Sequence, residues 1–290
     1  PDAREIDEAL AHDLIPSVGD SDHAAIVAKA AERAGQVARV HVKIDSGMGR
    51  HGARPDVARS LAEALANMHQ LEVAGIFTHF AEASDPDWTE RQFEQFTTVA
   101  RAFGAGQAGG PIRHVCNSVA LLNMPQARLE MVRPGAIFYG FNPGCDPGLI
   151  PEAIRSVASL RSTVAHVKAV EEGQPVGYGL TWRAPRDSRV AILPLGYADG
   201  YPRALSNNAA VLIGGRRRPL VGRVSMDALT VDVTDADSVR IGDEAVLIGA
   251  QGDEQITVDE IADRAGTIGQ EIVSRLSLRL PRVYTDRSDD

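Results

Sequence analysis

The stretch Leu193-Pro194-Leu195-Gly196-Tyr197-Ala198-Asp199-Gly200-Tyr201 carries the residue best placed to do chemistry. Residues 190–195 form an apolar run that reads as a buried strand and breaks at Gly196. Tyr197 follows, and Ala198-Asp199-Gly200 turns the chain. A tyrosine between glycines at a strand end is held by backbone without being smothered by neighbouring side chains. That arrangement delivers one phenol to a cavity, where it can act as an acid or a base. On this stretch alone, an ordinary β-turn with a packing tyrosine is the stronger account. The sharper one gains from its company elsewhere.

Lysine is scarce: of 30 basic residues only Lys29, Lys43 and Lys168 are lysines. Cys116 and Cys145 have no CxxC spacing, which suggests reduced thiols in a cytoplasmic protein. The chain has 290 residues, a net charge of -9 and a hydrophobic share of 44%, enough for two domains with substantial cores. The acidic balance argues against nucleic acid as a partner, because no basic stripe could track a phosphate backbone. No apolar run approaches the ~20 residues a bilayer span needs, and no signal peptide opens the chain, so no membrane partner is expected.

The elements that must position such residues fall into two textures. Residues 3–13 and 23–35 show helical spacing, with Asp20 or Ser21 as an N-cap. Strands are expected at 14–18, 38–44, 73–80 and 112–116, with helices at 56–68, 87–103 and 118–122. A closing strand is expected at 131–139. The repetition is βα, and near-continuous apolar strands fit a parallel sheet. Polar and glycine residues gather after each strand, at 45–50, His79, Asn117-Ser118 and 133–135. In a TIM barrel those positions form the C-terminal rim, where active sites lie. A closed barrel needs eight strands and about 250 residues, and only about five strands are found here. The expected class is therefore α/β: a partial TIM (β/α)8 barrel over 1–147, with about five of eight βα units, followed by a mainly β domain over 148–290. A smaller open sheet, or three βα units absent from the front, would each explain that count. The Gly/Pro-rich piece at 142–147 is the expected hinge. Beyond it, strands are expected at 162–170, 189–195, 210–213, 220–224, 229–233 and 244–248, with a Gly214-Gly215 hairpin turn and a helix at 257–264.

Seven motifs, in order, carry a resemblance. They are His41-Val42-Lys43-Ile44-Asp45-Ser46-Gly47-Met48-Gly49-Arg50, Thr78-His79-Phe80-Ala81 and His114-Val115-Cys116-Asn117-Ser118. Val132-Arg133-Pro134-Gly135-Ala136-Ile137-Phe138-Tyr139-Gly140 and the Gly196 turn follow, then Ser225-Met226-Asp227 and Arg279-Leu280-Pro281-Arg282-Val283-Tyr284. Together they resemble the alanine racemase family, pyridoxal-phosphate enzymes of fold-type III, from about residue 10 to Tyr284. The resemblance implies a cytoplasmic isomerase that interconverts L- and D-alanine by two bases and supplies D-alanine for peptidoglycan. It further implies pyridoxal 5'-phosphate and a homodimer with shared active sites.

By that resemblance Tyr197 is one base. A free tyrosine titrates near ~10, so a useful phenolate needs cations or donors, which His79 and Arg133 would supply. On residue type alone, His79 also fits a satisfied core histidine and Arg133 a surface ion pair. Arg133 further resembles the partner of the cofactor's pyridine nitrogen, and Arg50 the group near its phenolic oxygen and the substrate carboxylate. Ser118, Asn117 and the free amides at Gly135 and Ala136 would cradle the phosphate. Met226, through its backbone amide, and Asp227 would line the substrate pocket, although core packing also suits Met226. Lys43 matches a position that many members carry carbamylated. An unmodified lysine paired with a carboxylate is an equal alternative. No metal site is implied.

Two departures qualify the resemblance. The family's cofactor lysine lies in a Val-Lys-Ala-Asn/Asp-Ala-Tyr-Gly stretch that nothing in 1–290 matches. That lysine serves as both anchor and second base, so the expectation is that an N-terminal segment is absent and that residues 1–290 alone are inactive. Gln270 stands where members usually place a phosphate-contacting tyrosine, which bears on substrate range. A broader amino-acid racemase and a non-catalytic fragment of the same fold are the competing expectations.

Overall fold

The computed structural model describes residues 3–285, which form two compact units. The first holds the chain up to Gly135 together with Pro143–Pro151, and the second holds Ala136–Asn142 and the chain from Glu152 on.

In the first unit the order is α1 (Ala3–Ala11), β1 (Ser17–Val18), α2 (Ser21–Ala34), β2 (Ala38–Lys43), α3 (Ala58–Ala66), β3 (Leu71–Phe77), α4 (Pro86–Ala100), β4 (Ile112–His114) and α5 (Ser118–Asn123). Local chemistry sets the helix ends. Asp20 caps α2 by accepting from the His23 amide at 2.7 Å, and Asp85 caps α4 from the Trp88 amide, with Pro86 at the first helical position. Ala24, Val27, Ala28 and Ala31 bury one face of α2. The four strands pair in the order β1-β2-β3-β4, all parallel. Val40, Val42, Ile44, Ile76, Phe80 and Phe96 form the fully buried centre of this core. Register matters most for function. Lys43 pairs with Phe77 and Phe77 with His114, so three strand-terminal residues line up across the C-terminal edge of the sheet.

The second unit contains β5 (Leu160–Thr163), β6 (His166–Val170), β7 (Pro175–Val176), β8 (Trp182–Arg183), β9 (Ser188–Leu193), β10 (Ala210–Ile213), β11 (Arg216–Pro219), β12 (Leu229–Asp232), β13 (Glu244–Gln251), β14 (Glu254–Ile256), α6 (Val258–Ala265) and α7 (Gly269–Ser274). One antiparallel sheet runs β11-β10-β13-β14 with β5 also on β13, a second runs β12-β9-β6, and β7 pairs with β8. Leu193, Leu195, Tyr201, Leu205, Leu212, Ile213 and Leu229 pack between these layers with almost no exposure. Gly214 and Gly215 both take positive φ, 63° and 70°, and close the β10–β11 hairpin as their composition requires.

Three expected strands are corrected. Residues 131–139 form no strand; Ala136–Tyr139 is a 3-10 turn. Arg133 N makes one strand-like bond to Cys116 O at 3.0 Å, and Pro134 then has no N–H with which to continue a ladder. The parallel arc of the first unit thus has four strands, one fewer than expected. Residues 220–224 hold only an isolated Leu220–Val231 bridge, because Gly222 at φ 78° turns the chain away. The apolar stretch 162–170 is two strands. β5 pairs with β13 and β6 with β9, and the chain changes sheet at Val164-Ala165. Among the described residues no helix is long and apolar enough to cross a membrane.

Candidate active site

The edge defined by Lys43, Phe77 and His114 collects most of the residues anticipated in the first unit. Arg133 leaves the loop after α5 and lies half-buried over the ends of β3 and β4. Its Nη1 donates to His114 Nδ1 at 2.6 Å and His114 O at 2.8 Å, and its Nη2 donates to Thr78 O at 2.7 Å and Val115 O at 3.4 Å. The guanidinium carbon lies 5.3 Å from the Phe77 ring centre. Among the described residues Arg133 pairs with no carboxylate, so the surface ion pair is not its role. A guanidinium has five N–H groups, and the bonds above engage those on Nη1 and Nη2. Nε–H is the donor left over.

His114, which the sequence reading assigned no role, completes this centre. An arginine can only donate, so His114 Nδ1 must accept and its proton resides on Nε2. Nε2 then points at His41 Nδ1, 2.9 Å away, and Phe77 stacks on the His114 ring at 4.8 Å and 7°. Burial, then the nearby Arg133 charge, pushes the His114 pKa down to about 3, so the ring is neutral at pH 7. His41 is lowered for the same two reasons. The signal for His114 in the sequence was its place at a strand end, opening the His114-Val115-Cys116-Asn117-Ser118 motif.

His79 sits two residues past β3, half-buried. Burial first, then Arg133, Lys43 and Arg50, lower its pKa to about 4. It therefore offers a hydrogen bond and no positive charge at neutral pH. Lys43 is 8% exposed, and its Nζ has no hydrogen-bond partner among the described residues. Burial first and Arg133 second bring its pKa down to about 8. The expected alternative, a lysine paired with a carboxylate, is corrected. The neighbouring Asp45 spends one oxygen on the amides of Gly47, Met48 and Gly49 at 3.1, 2.9 and 3.0 Å, which folds the 45–49 loop around it. Ser46 and Thr78 share a buried hydroxyl bond of 2.8 Å, while Arg50 is exposed.

At the start of α5, Asn117 is the N-cap, its Oδ1 accepting from Ala120 N at 3.0 Å. Ser118 is buried, and its Oγ accepts from the Gly135 amide at 2.8 Å. The Gly135 amide, expected free, is therefore already engaged. Ala136 is buried at the first position of the 3-10 turn.

The second unit holds the other anticipated residues. Tyr197 opens a 3-10 turn, Tyr197–Asp199, and is 42% exposed. Its amide donates to Ser225 O at 3.0 Å, and Ala198 N donates to Met226 O at 3.0 Å. Glycines are obligatory on both sides. A Cβ on Gly196 would lie 2.3 Å from Ser225 O, and one on Gly200, at φ 100°, would lie 2.2 Å from Arg275 O. Tyr201 contrasts with Tyr197. It is 1% exposed, its hydroxyl has no partner among the described residues, and burial raises its pKa. Met226 is 53% exposed, so it is not core packing. Asp227 is half-exposed and is bonded by Arg279 Nη2. Gln270 is exposed on α7.

Comparison with known proteins finds a match for the sequence of each unit. Residues 1–143 match the model for the alanine racemase N-terminal domain, and 157–284 match the model for the C-terminal domain. The alanine racemase of Halothermothrix orenii is 40% identical over 279 residues, covering 95% of this chain and 73% of the relative. That of Symbiobacterium thermophilum is 44% identical over 255 residues, covering 87% and 67%. Among solved structures, the alanine racemase of D-cycloserine-producing Streptomyces lavendulae superposes with a TM-score of 0.89 at 35% identity, covering 97% of this chain and 75% of that one. The enzyme of Streptomyces coelicolor A3(2) gives 0.90 at 36%, with the same coverage. With both domain models matched in order and the fold shared with solved members, the chain belongs to the alanine racemase family.

Proposed function

We propose that this protein interconverts L-alanine and D-alanine, supplying D-alanine for peptidoglycan in the cytoplasm, with pyridoxal 5'-phosphate as cofactor. The observation that carries the reading is Arg133: a fixed cation without a carboxylate, its terminal nitrogens saturated and Nε–H left over. That donor set fits a pyridine nitrogen. When bound, the cofactor supplies an electron-withdrawing ring that acidifies the α-hydrogen of the amino acid. Arg133 does not surrender its proton, so it keeps the ring nitrogen unprotonated and the electron sink weak, which disfavours side reactions such as transamination. His114, neutral and proton-bearing on Nε2, accepts from Arg133 and fixes its plane. Ser118, Asn117 and the backbone at Ala136 would hold the phosphate, with the Ser118–Gly135 bond pre-shaping that corner.

Tyr197 takes or returns the proton at one face of the α-carbon, and its backbone bonds fix where the hydroxyl can reach. His79, neutral, and Arg133 tune that phenol in a homodimer that brings the two halves of the constellation together. Arg50 and the Met226 amide orient the substrate carboxylate, while Asp227 lines the substrate pocket. The buried Lys43 amine, its pKa brought down to about 8, reacts as the neutral base with carbon dioxide, releasing one proton and giving a carbamate anion toward Arg50. The second base has no counterpart within 1–290, so these residues by themselves do not racemise.

The test is exchange of alanine α-hydrogen with deuterated solvent by the full-length protein, measured from each enantiomer alongside intact mass. Exchange and racemisation that depend on added pyridoxal phosphate support the reading, while their absence in the loaded protein overturns it. Racemisation by residues 1–290 alone would overturn the last clause only. The exposed Gln270 favours a second reading, a broader amino-acid racemase, which serine turnover at a rate similar to alanine would establish.

A further inference from the structure

Among the described residues Arg279 ties together three separate segments around Tyr197. Its Nε donates to Asp199 Oδ1 at 2.7 Å, and its Nη2 reaches Asp199 Oδ2 at 3.5 Å and also Asp227 Oδ1. Asp199 belongs to the Tyr197 turn and Asp227 to the loop whose carbonyls receive the Tyr197 and Ala198 amides. Arg279 itself belongs to the segment against which Gly200 packs, through Arg275 O and Leu276. Asp199 is 5% exposed, and its other oxygen accepts from the Gly196 amide at 2.8 Å, while Ser277 N donates to Asp199 O at 3.0 Å. Arg282 folds the 276–280 segment by donating to Leu276 O, Ser277 O and Leu280 O at 3.1, 3.0 and 2.9 Å. The Arg279-Leu280-Pro281-Arg282 motif thus has a physical content: one arginine shapes the segment and the other uses it as a clamp.

We propose that Arg279 is a positioning residue that fixes the Tyr197 turn to the Met226-Asp227 loop, so that the phenol and the substrate-facing loop move as one body. The consequence for turnover rests on the racemase reading, whereas the clamp does not. An exposed arginine–aspartate pair contributes little by itself, and Asp227 alone would be such a pair. Asp199 differs because it is buried. Without Arg279 its carboxylate keeps only the Gly196 amide, and a buried charge short of partners moves toward water, carrying the turn with it. The planar fork is also what lets one side chain serve two carboxylates, which a lysine ammonium does less well.

The experiment places 3-fluorotyrosine at position 197 of the full-length protein and records its fluorine resonance, with melting temperature as the fold control. The expected result is one narrow line in the parent and a broadened or split line in Arg279→Ala. Arg279→Lys should lie between, and Asp227→Asn should broaden the line less than Arg279→Ala. In alanine interconversion, Arg279→Ala should lower kcat by about 100-fold, the scale of a roughly 1 Å misplacement, with KM changed far less. An unchanged line in Arg279→Ala overturns the clamp. If Arg279→Ala does not fold, an unchanged line in Asp227→Asn overturns it instead. A changed line in a protein that fails to racemise even as the parent leaves the clamp standing and removes the racemase reading.

Discussion

The two units hold their candidate groups by opposite means. In the first unit Arg133 is fixed through its side chain, with both terminal nitrogens bonded to strand-end carbonyls and a neutral histidine. In the second unit Tyr197 is fixed through its backbone, and its side chain is left 42% exposed. Under the proposed reading the difference suits the two roles. A cation that tunes a cofactor must not move or exchange protons; the carbonyl acceptors fix its position, and the intrinsic basicity of a guanidinium keeps its proton against the lowering that burial causes. A base must meet substrate and change protonation, which requires a free hydroxyl on a rigid stem. Substitutions that separate stem from side chain should therefore behave differently in the two places.

The largest effect is expected from Tyr197→Phe. It removes only the hydroxyl and leaves every backbone bond of the turn, so folding stability should be unchanged. Alanine interconversion should fall by roughly 10²–10⁴, the usual share of a positioned acid–base group, with solvent exchange from one enantiomer impaired more than from the other. Equal, small losses in both directions would make Tyr197 a bystander. Arg133→Ala tests the other half and should show a fold defect that Tyr197→Phe lacks. It strands the carbonyls of Thr78 and His114 and the Nδ1 of His114, at a cost on the order of 3 kcal/mol in urea unfolding.

How far this contrast could be read from sequence differs between the halves. Tyr197 was legible because glycines on both sides and the strand break are local facts, and the Cβ clashes at Gly196 and Gly200 confirm that the turn tolerates nothing larger. The Arg133 centre was legible only in part. That Arg133 belongs to the polar rim of the sheet could be read, but that its partners are carbonyls at the ends of β3 and β4 depends on the Lys43–Phe77–His114 register. Pairwise register has no local signature, so His114 and His41 went unassigned. The strand expected at 131–139 failed for a related reason: hydrophobic content was weighed over the missing N–H of Pro134. The βα order and the shift to short β-branched strands were legible throughout, because period and composition survive without tertiary knowledge.

A pH experiment sharpens the first half of the comparison. His41, His79 and His114 all have pKa values lowered by burial, the latter two to about 4 and 3. Below the unfolded histidine value of ~6.5 the unfolded chain binds more protons than the native one. Their contribution is therefore complete above that value and lost as pH falls toward the folded values. The carboxylates with lowered pKa, such as Glu130, Glu244 and Glu260, act only below their ordinary range. In the window from about 6.5 to about 4.5 the histidines therefore dominate, with Asp259, raised by burial, the carboxylate that titrates toward it. His114→Gln should flatten the slope of urea midpoint against pH in that window. An unaltered slope would mean that His114 is not held neutral.

The smallest effect should come from the same substitution made four residues on. Tyr201→Phe also deletes one phenol oxygen, but that oxygen is buried and unpartnered in the core of the second unit. A buried hydroxyl without a partner bears a desolvation penalty with no compensating bond, so its removal should be neutral or stabilise by up to about 1 kcal/mol. Burial also raises the Tyr201 pKa, which unfits it as a base at neutral pH. Activity should therefore be close to that of the parent. The pair Tyr197→Phe and Tyr201→Phe holds chemistry, volume and sequence neighbourhood nearly constant and varies only exposure. A Tyr201→Phe variant that loses activity as severely as Tyr197→Phe would mean that the turn acts through its core anchor, and the division between rigid stem and free hydroxyl would fail.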